Sequence, residues 1–223
     1  MGNLPTSHSQ RVTDFLAKVQ TARGRIAFVI DATMSREPTW DAASQLQAEM
    51  FSETAKLGGL EMMVIYFRGM DEVGASNSTS DARELHSFMG RIRCEGGYTK
   101  YARAFERVRQ EHQRTPFTAV IAIGDMLEEE PRTLYDAIVG LGVPLFAFQE
   151  GNDFQVREVL RLREAFQELA RLTKGAYHAF DAGSVAQLRE LLRAVAAFAV
   201  GGLTALADQR TDSARKLLGQ MKK

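Results

Sequence analysis

The sequence predicts an α/β fold in which a doubly wound, mostly parallel sheet has helices on both faces. Two observations support this prediction. Short, continuous apolar runs of strand length recur along the chain, and they alternate with stretches whose apolar residues repeat at helical spacing. A strand that is apolar at successive positions is buried on both faces, which is typical of a parallel sheet. Because crossovers between parallel strands are right-handed, helices are expected on both sides of one sheet. The number of strand candidates indicates a sheet of about six strands.

The predicted strands and helices alternate along most of the chain. The apolar runs place strands at residues 26–30, 60–67, 117–123, 143–148 and 176–180, and a weak edge strand at 72–75. Helical spacing predicts helices at residues 9–22, 40–57, 81–93, 100–111, 128–141, 156–172 and 184–200. We therefore divide the chain into an N-terminal helical extension (1–23), one α/β domain (24–200) and a C-terminal helical tail (201–223).

Composition and charge exclude several classes of function. The 223 residues include 28 basic and 28 acidic side chains, so the formal net charge is zero and no basic surface for nucleic acid is expected. Cys94 is the only cysteine, which excludes an intrachain disulfide and argues against a cysteine-based zinc site. The start of the chain lacks a signal-peptide pattern, and the apolar run 194–203 is too short to span a bilayer. We expect a cytoplasmic protein that does not bind a membrane.

Oxygen-bearing side chains follow the first predicted strand directly. The strand ends at Asp31, and two hydroxyls come at alternate positions, Thr33 and Ser35. A carboxylate at the carboxyl end of a buried strand lies where open α/β sheets place their ligand sites. One carboxylate and two hydroxyls are hard donors suited to Mg²⁺ or Mn²⁺. The alternative interpretation is that these residues cap the helix that begins near Pro38.

Two further oxygen donors occur at equivalent places along the chain. Thr99 follows the turn Gly96-Gly97, and Asp125 follows the third long apolar run. If the strands before Asp31 and Asp125 are neighbours, the two carboxylates approach each other at one edge of the sheet. Without a cation they would repel, which would raise at least one pKa. A divalent cation would remove that repulsion.

This set of residues resembles the metal-ion-dependent adhesion site (MIDAS) of von Willebrand factor A (VWA) domains, of the intracellular bacterial type. The family pattern is Asp-x-Ser/Thr-x-Ser, then a threonine after a glycine-rich turn, then an aspartate at a later strand end. The α/β alternation matches over about residues 24–200. The resemblance implies a Rossmann-like sheet with one short antiparallel edge strand, which suits residues 72–75.

The resemblance also implies a ligand set and a partner. Thr33, Ser35 and Thr99 would coordinate Mg²⁺, or Mn²⁺, by their hydroxyls, and Asp31 and Asp125 directly or through water. A glutamate or aspartate of a partner protein would fill the open coordination position. The metal would then bridge an interface and would not serve as a catalyst.

The sequence departs from the family pattern at four positions. The family often has glycine between the two hydroxyls and methionine after the second, where this chain has Met34 and Arg36. The later aspartate is commonly within Thr-Asp-Gly, whereas here the sequence is Gly124-Asp125-Met126. No ligand is lost by these changes. Arg36 is expected either to pair with an incoming carboxylate or to be a solvated loop arginine.

Two other features near these residues have alternative interpretations. The acidic run at positions 128–130 would either add charge around the cation or lie in the first turn of a helix. Trp40 would be either an exposed anchor for a partner or a packing residue at the start of a helix.

We therefore expect a protein-binding module that serves as a subunit or adaptor of a multi-protein complex, and not an enzyme. One alternative is a Mg²⁺-dependent phosphatase or hydrolase on a similar sheet. A phosphoaspartyl mechanism would need an acid two residues after Asp31, where the chain has Thr33, and no general base is evident in the sequence nearby. Another alternative is a scaffold with an idle metal site, in which the terminal helices bind the partner.

Overall fold

The structure is a computed structural model of the 223-residue chain, and it describes residues 24–37, 40, 60–151, 156–180 and 185–221. The predicted extension 1–23, its helix at 9–22 and all but the first residue of the helix at 40–57 lie outside the described residues.

The described residues form one six-stranded sheet with the strand order β3-β2-β1-β4-β5-β6. The strands are β1 (Gly24–Asp31), β2 (Leu60–Arg68), β3 (Glu72–Ala75), β4 (Ala119–Gly124), β5 (Leu145–Glu150) and β6 (Ala176–Phe180). Neighbouring strands are parallel, except that the edge strand β3 is antiparallel to β2. The predicted fold class is confirmed, including the short antiparallel edge strand.

Six α-helices are described. They are α1 (Ala82–Met89), α2 (Tyr101–Arg114), α3 (Pro131–Ile138), α4 (Arg157–Leu172), α5 (Val185–Asp208) and α6 (Asp212–Met221). Helix α3 is shorter than the predicted helix at 128–141, because it begins at Pro131, a residue that suits a first helical turn. The acidic residues 128–130 therefore precede this helix, and the interpretation that placed them in its first turn is wrong.

The sheet is buried on both faces, as its continuous apolar strands require. In β1, Ile26, Phe28 and Ile30 belong to one core cluster, and Ala27 and Val29 belong to the other. Helices α1, α5 and α6 contribute to the first cluster, whereas α2, α3 and α4 contribute to the second. The interpretation of Trp40 as an exposed anchor is wrong, because Trp40 is buried in the first cluster.

The C-terminal helices fold back onto the domain. Helix α5 has non-helical backbone at Gly201 and Gly202, where the φ of Gly202 is +65°. After this kink α6 packs beside β6, and the amide of Gln220 exchanges two hydrogen bonds of 2.8 and 2.9 Å with the backbone of Tyr177. The predicted boundary after residue 200 coincides with the kink, although the division into three parts stays a prediction.

One helix in the described part of the chain, Ala186–Asp208, is long and apolar enough to cross a membrane. The run 194–203 considered in the sequence is thus part of a longer apolar helix. Its buried side chains belong to the core cluster beneath the sheet, and these are Leu188, Leu191, Leu192 and Val195. This packing accounts for the apolar composition of that face of the helix.

Candidate metal site at the switch point of the sheet

The strand order places the ends of β1 and β4 side by side. The chain continues from β1 to β2 on one side, and it later enters β4 on the other side, with Ile30 in register with Ile123. Such a reversal of strand order opens a crevice at the carboxyl ends of the strands, where ligands bind in open α/β sheets. Asp31 is the last residue of β1, and Asp125 directly follows β4. The strands that precede Asp31 and Asp125 are therefore neighbours, which is the condition under which the two carboxylates approach each other.

The loop after β1 brings three predicted site residues together. The Thr33 backbone N–H donates to Asp31 Oδ1 at 2.8 Å, and the hydroxyl oxygens of Thr33 and Ser35 are 3.2 Å apart. A short 3₁₀ turn over Met34–Arg36 follows, and the Thr33 side chain makes no capping hydrogen bond to it. The Thr33 hydroxyl therefore does not cap this turn, and the helix predicted to begin near Pro38, which the capping interpretation concerns, lies outside the described residues.

Asp31 is fully buried, and Asp125 lies partly buried near it. The pKa of Asp31 is raised to about 7, first by burial and then by the charge of Asp125, while hydrogen bonds from Thr33 and the charge of Arg36 act in the opposite direction. Asp31 Oδ2 and Asp125 Oδ1 are both buried, and neither has a hydrogen-bond partner among the described residues. Two unsatisfied carboxylate oxygens beside a pair of hydroxyls fit a hard divalent cation.

Thr99 comes to the same edge through the loop that follows Asp125. Its backbone N–H donates to Glu128 Oε2 at 2.9 Å, and its hydroxyl oxygen accepts from the Glu128 N–H at 2.8 Å. Glu129 accepts from the Ala102 N–H at 3.3 Å, so both acidic side chains lie at the N-terminal end of α2. The Thr99 hydroxyl keeps its proton and one lone pair for a further interaction.

A close approach of two loops explains the glycine turn before Thr99. A Cβ atom on Gly97 would lie 1.7 Å from the Gly69 carbonyl oxygen, so only glycine fits there. In the same segment the Glu95 N–H donates to the Ala32 carbonyl at 3.1 Å. This backbone bond joins the turn to the loop after β1 and thus places Thr99 at the edge that carries Asp31.

Arg36 has a different environment from either expectation. Its side chain is 1% exposed and forms an ion pair with Glu150, the last residue of β5. The expectation of a solvated loop arginine is wrong, because the 3₁₀ turn directs the residue into the protein. Pairing with an incoming carboxylate is also not what the structure shows, since Glu150 holds the guanidinium. No local pattern indicates this pair, because Glu150 lies beyond the apolar run that marks the strand.

Sequence reasoning also missed Tyr101. This residue opens α2, is fully buried, and has a pKa raised well above its ordinary value by burial and by the charges of Asp31 and Asp125. Its hydroxyl therefore lies close to the carboxylate pair. A tyrosine two residues after a threonine carries no recognisable signal in a sequence.

Exposed apolar side chains accompany the site loops. Met34 lies between Thr33 and Ser35, and Tyr98 precedes Thr99; their side chains are 48% and 53% exposed. Met70, 62% exposed, follows Gly69, whose carbonyl accepts from the Tyr98 N–H at 3.3 Å. We refer to Met34, Met70 and Tyr98 as the apolar rim.

Among the described residues, no three His, Cys, Asp or Glu side chains cluster as metal ligands, so hydroxyls would have to contribute.

Comparison with known proteins identifies the fold. No protein-family model and no curated protein matches the sequence. Among solved structures, a von Willebrand factor type A protein from Catenulispora acidiphila superposes with a TM-score of 0.59 at 18% identity, over 80% of this chain and 43% of that one. The chain has the VWA fold.

Two other solved structures support the same assignment. The VWA domain of SpRpn10 superposes with a TM-score of 0.54 at 10% identity, over 74% of this chain and 95% of that one. The ArnB paralog VWA2 from Sulfolobus acidocaldarius gives a TM-score of 0.53 at 16% identity, over 77% of this chain and 44% of that one. This chain spans less than half the length of the Catenulispora and Sulfolobus proteins. At such identities the likeness concerns the fold, and the roles of the site residues stay predictions.

Proposed function

We propose that this VWA-fold chain is a protein-binding module that engages an acidic side chain of its partner through a bound divalent cation. One observation carries the proposal. Asp31 Oδ2 and Asp125 Oδ1 are buried without hydrogen-bond partners at the switch point of the sheet, beside hydroxyl side chains. Burying two neighbouring carboxylates in this state costs free energy, and a cation would offset that cost.

The proposed ligands divide into charged and neutral donors. Asp31 and Asp125 would supply the negative charge, directly or through water, and the hydroxyls of Thr33, Ser35 and Thr99 would supply neutral oxygens. Such a set suits Mg²⁺ or Mn²⁺, which prefer six oxygen ligands. The cation would supply a fixed positive charge at the surface, and a glutamate or aspartate of the partner would complete its coordination.

The apolar rim indicates what else the partner presents. Exposed methionine and tyrosine side chains gain free energy when a partner covers them, and methionine adapts to differently shaped apolar surfaces. We therefore propose that the recognised acidic residue has apolar neighbours, and that the chain acts in the cytoplasm as a subunit or adaptor of a multi-protein complex. Catalysis is not proposed, because Glu128 and Glu129, the other carboxylates at the site, accept backbone N–H groups at the start of α2.

A capture experiment tests this function. The immobilised protein is incubated with an extract of its source cells in Mg²⁺ or in EDTA, and Asp31→Ala and Thr99→Ala are compared with the wild type. We expect a specific partner to be retained in Mg²⁺, released by EDTA and lost in both variants. Glu130→Ala is the control. Its side chain is 78% exposed, and its ion pair with Arg161 is long, with a closest distance of 3.8 Å.

Retention of the partner by both site variants and in EDTA would contradict the proposal. Binding would then take place elsewhere, and the scaffold with an idle metal site would be the better description.

A further inference from the structure

The two edges of the sheet differ in how their outward backbone groups are paired. On β6 the side-chain amide of Gln220 accepts from the Tyr177 N–H and donates to the Tyr177 carbonyl. A ring nitrogen of His178 bonds the carbonyl of Ala179 further along the same strand. Because an uncovered edge is a template for another strand, proteins usually cover their sheet edges. Side chains of the chain itself provide this cover on β6.

Strand β3 lacks such cover in the part of the chain that the structure describes. The Ser76 N–H, directly after β3, donates to the Val64 carbonyl at 2.8 Å, so Ser76 faces β2. Successive residues of an antiparallel strand alternate between facing the partner strand and facing away, so Gly74 also faces β2. Val73 and Ala75 therefore direct their N–H and C=O groups away from the sheet, where no described residue bonds them.

The two faces of the sheet beside β3 differ in chemistry. The side chains of Val73 and Ala75 pack half-buried against the second core cluster. On the face of the first cluster, a cavity of about 490 Å³ lies between helix α1 and the segment that follows β3. Ser76 lines this cavity from the segment, and Phe88 and Arg91 line it from α1 and the turn after it. A strand added to β3 would thus have apolar neighbours on one face and an arginine on the other.

Arg91 gives the cavity a positive charge that is open to a partner. The other arginine of the lining, Arg83, is held by Asp81 at 3.3 Å. The Arg91 guanidinium is exposed and lies 6.0 Å from the centre of the Phe88 ring. Glu84 lines the cavity as well, but neither it nor another described acidic side chain forms an ion pair with Arg91. A carboxylate that enters the cavity can therefore pair with Arg91.

We propose that β3 is a second interaction surface, which takes an extended segment of a partner protein whose side chains alternate between apolar and acidic. The backbone of this segment would add to the sheet through the outward groups of Val73 and Ala75. Its apolar side chains would pack beside those two side chains, and its acidic side chains would lie on the face of the cavity, near Arg91. This surface involves no cation, so it goes beyond the proposed function and does not depend on it.

A synthetic peptide of alternating valine and aspartate, blocked at both ends, serves as the ligand in the first test. Its binding to the full chain is followed by backbone amide NMR signals in EDTA, where no divalent cation is free to bridge an aspartate to the metal site. We expect saturable shifts centred on Val73 and Ala75. No shifts, or shifts centred elsewhere, would overturn the proposal and leave the Mg²⁺-dependent function untouched.

Two N-methylated peptides test the strand addition. One carries methyl groups on its valine nitrogens and the other on its aspartate nitrogens, because only one of these sets can direct its N–H groups toward β3. We expect one of the two to bind at least about tenfold more weakly than the unmodified peptide, since it loses backbone hydrogen bonds. Equal binding by all three peptides would overturn the proposal.

Two arginine variants test the charge. Arg91→Ala should weaken binding of the unmodified peptide about three- to fivefold. Arg132→Ala, at an exposed arginine on α3 and thus on the opposite face of the sheet, should bind the peptide as the wild type does. Equal affinities of the two variants would overturn the acidic specificity. Concentration-dependent shifts at β3 without peptide would show pairing between copies of this chain, and would overturn the assignment to a partner protein.

Discussion

Asp31 gives the clearest prediction at the scale of a single residue. Its pKa in the folded protein is about 7, raised mainly by burial, whereas aspartate in an unfolded chain titrates near 4. Between these values the metal-free folded protein keeps a proton that the unfolded chain has lost. The free energy of unfolding therefore decreases as pH rises from about 4 to 7 and levels off above, and we expect a decrease of about 4 kcal/mol from this residue.

The measurement is urea unfolding in EDTA between pH 4.5 and 8. Asp31→Asn cannot titrate, so its stability should lack this decrease, and the difference between the two proteins isolates the contribution of Asp31. Parallel pH profiles of stability for the wild type and Asp31→Asn would show that the fold does not raise the pKa of Asp31.

The ion pair of Arg36 and Glu150 carries a second prediction. Both side chains are buried, and a buried charge that loses its partner is strongly destabilising. We expect Glu150→Leu to lower the free energy of unfolding by about 3 kcal/mol. The double variant Arg36→Met/Glu150→Leu removes both charges and should recover at least half of that loss. A double variant that is as unstable as Glu150→Leu alone would contradict this account.

At this scale the sequence predicted the oxygen donors but not their surroundings. Local patterns mark the five proposed ligands, because each comes at or shortly after the end of a strand or after a glycine turn. These residues are Asp31, Thr33, Ser35, Thr99 and Asp125. Arg36, Tyr101 and Glu128 could not, because what they do depends on residues of other loops and strands. Their contacts are set by packing, which no local pattern in the chain records.

At the scale of the element, the bonds between Thr99 and Glu128 join two loops. Glu128 accepts at the N-terminal end of α2, where a carboxylate is stabilising, and its own N–H donates to the Thr99 hydroxyl. We expect Glu128→Ala to reduce the free energy of unfolding by about 1–2 kcal/mol. Chemical denaturation measures this loss.

Glu130→Ala is the control for Glu128→Ala. It removes an exposed carboxylate of the same loop whose nearest cation is 3.8 Å away, and it should change stability by less than about 0.5 kcal/mol. Equal effects of the two substitutions would mean that the bonds to Thr99 do not stabilise the loops.

The packing of α6 leads to a prediction about the C-terminal helices. Leu217 is fully buried in the first core cluster, so Leu217→Ala should destabilise the whole domain by about 2–4 kcal/mol in one cooperative transition. Leu203→Ala on α5, at a side chain that is 44% exposed, should have little effect. Thermal unfolding distinguishes the two, and an unchanged melting temperature in Leu217→Ala would show that α6 does not stabilise the domain.

The elements were predicted well in number and less well in extent. The five parallel strands were found because a buried parallel strand is an unbroken apolar run. The antiparallel edge strand β3 was predicted as a weak strand within a polar stretch. The bounds of β3 and β6 agree with the prediction, and the ends of the other four strands shifted by at most two residues. Pairing continues into polar residues such as Arg68 and Glu150. The helix predicted at 184–200 continues to Asp208 through the kink at Gly201 and Gly202. Two glycines usually end a helix, which is why the sequence suggested a boundary there.

At the scale of the whole molecule, the strand order creates the candidate site. Neither Asp31 nor Asp125 is unusual within its own loop, and they meet because the order of the strands reverses between β1 and β4. The sequence could predict a sheet of parallel strands, but it left open whether these two strands are neighbours. Strand order depends on how the helices pack across the whole sheet.

The central claim is that this edge of the sheet binds a divalent cation. Titration of Mg²⁺ into the metal-free protein by isothermal titration calorimetry tests it most directly. We predict one site per chain in the wild type and in the exposed control Thr133→Val, and no measurable binding in Asp31→Asn or Thr33→Val, which remove a charge and a hydroxyl while keeping shape. Absence of Mg²⁺ binding in the wild type, or equal affinity in all four proteins, would contradict the claim.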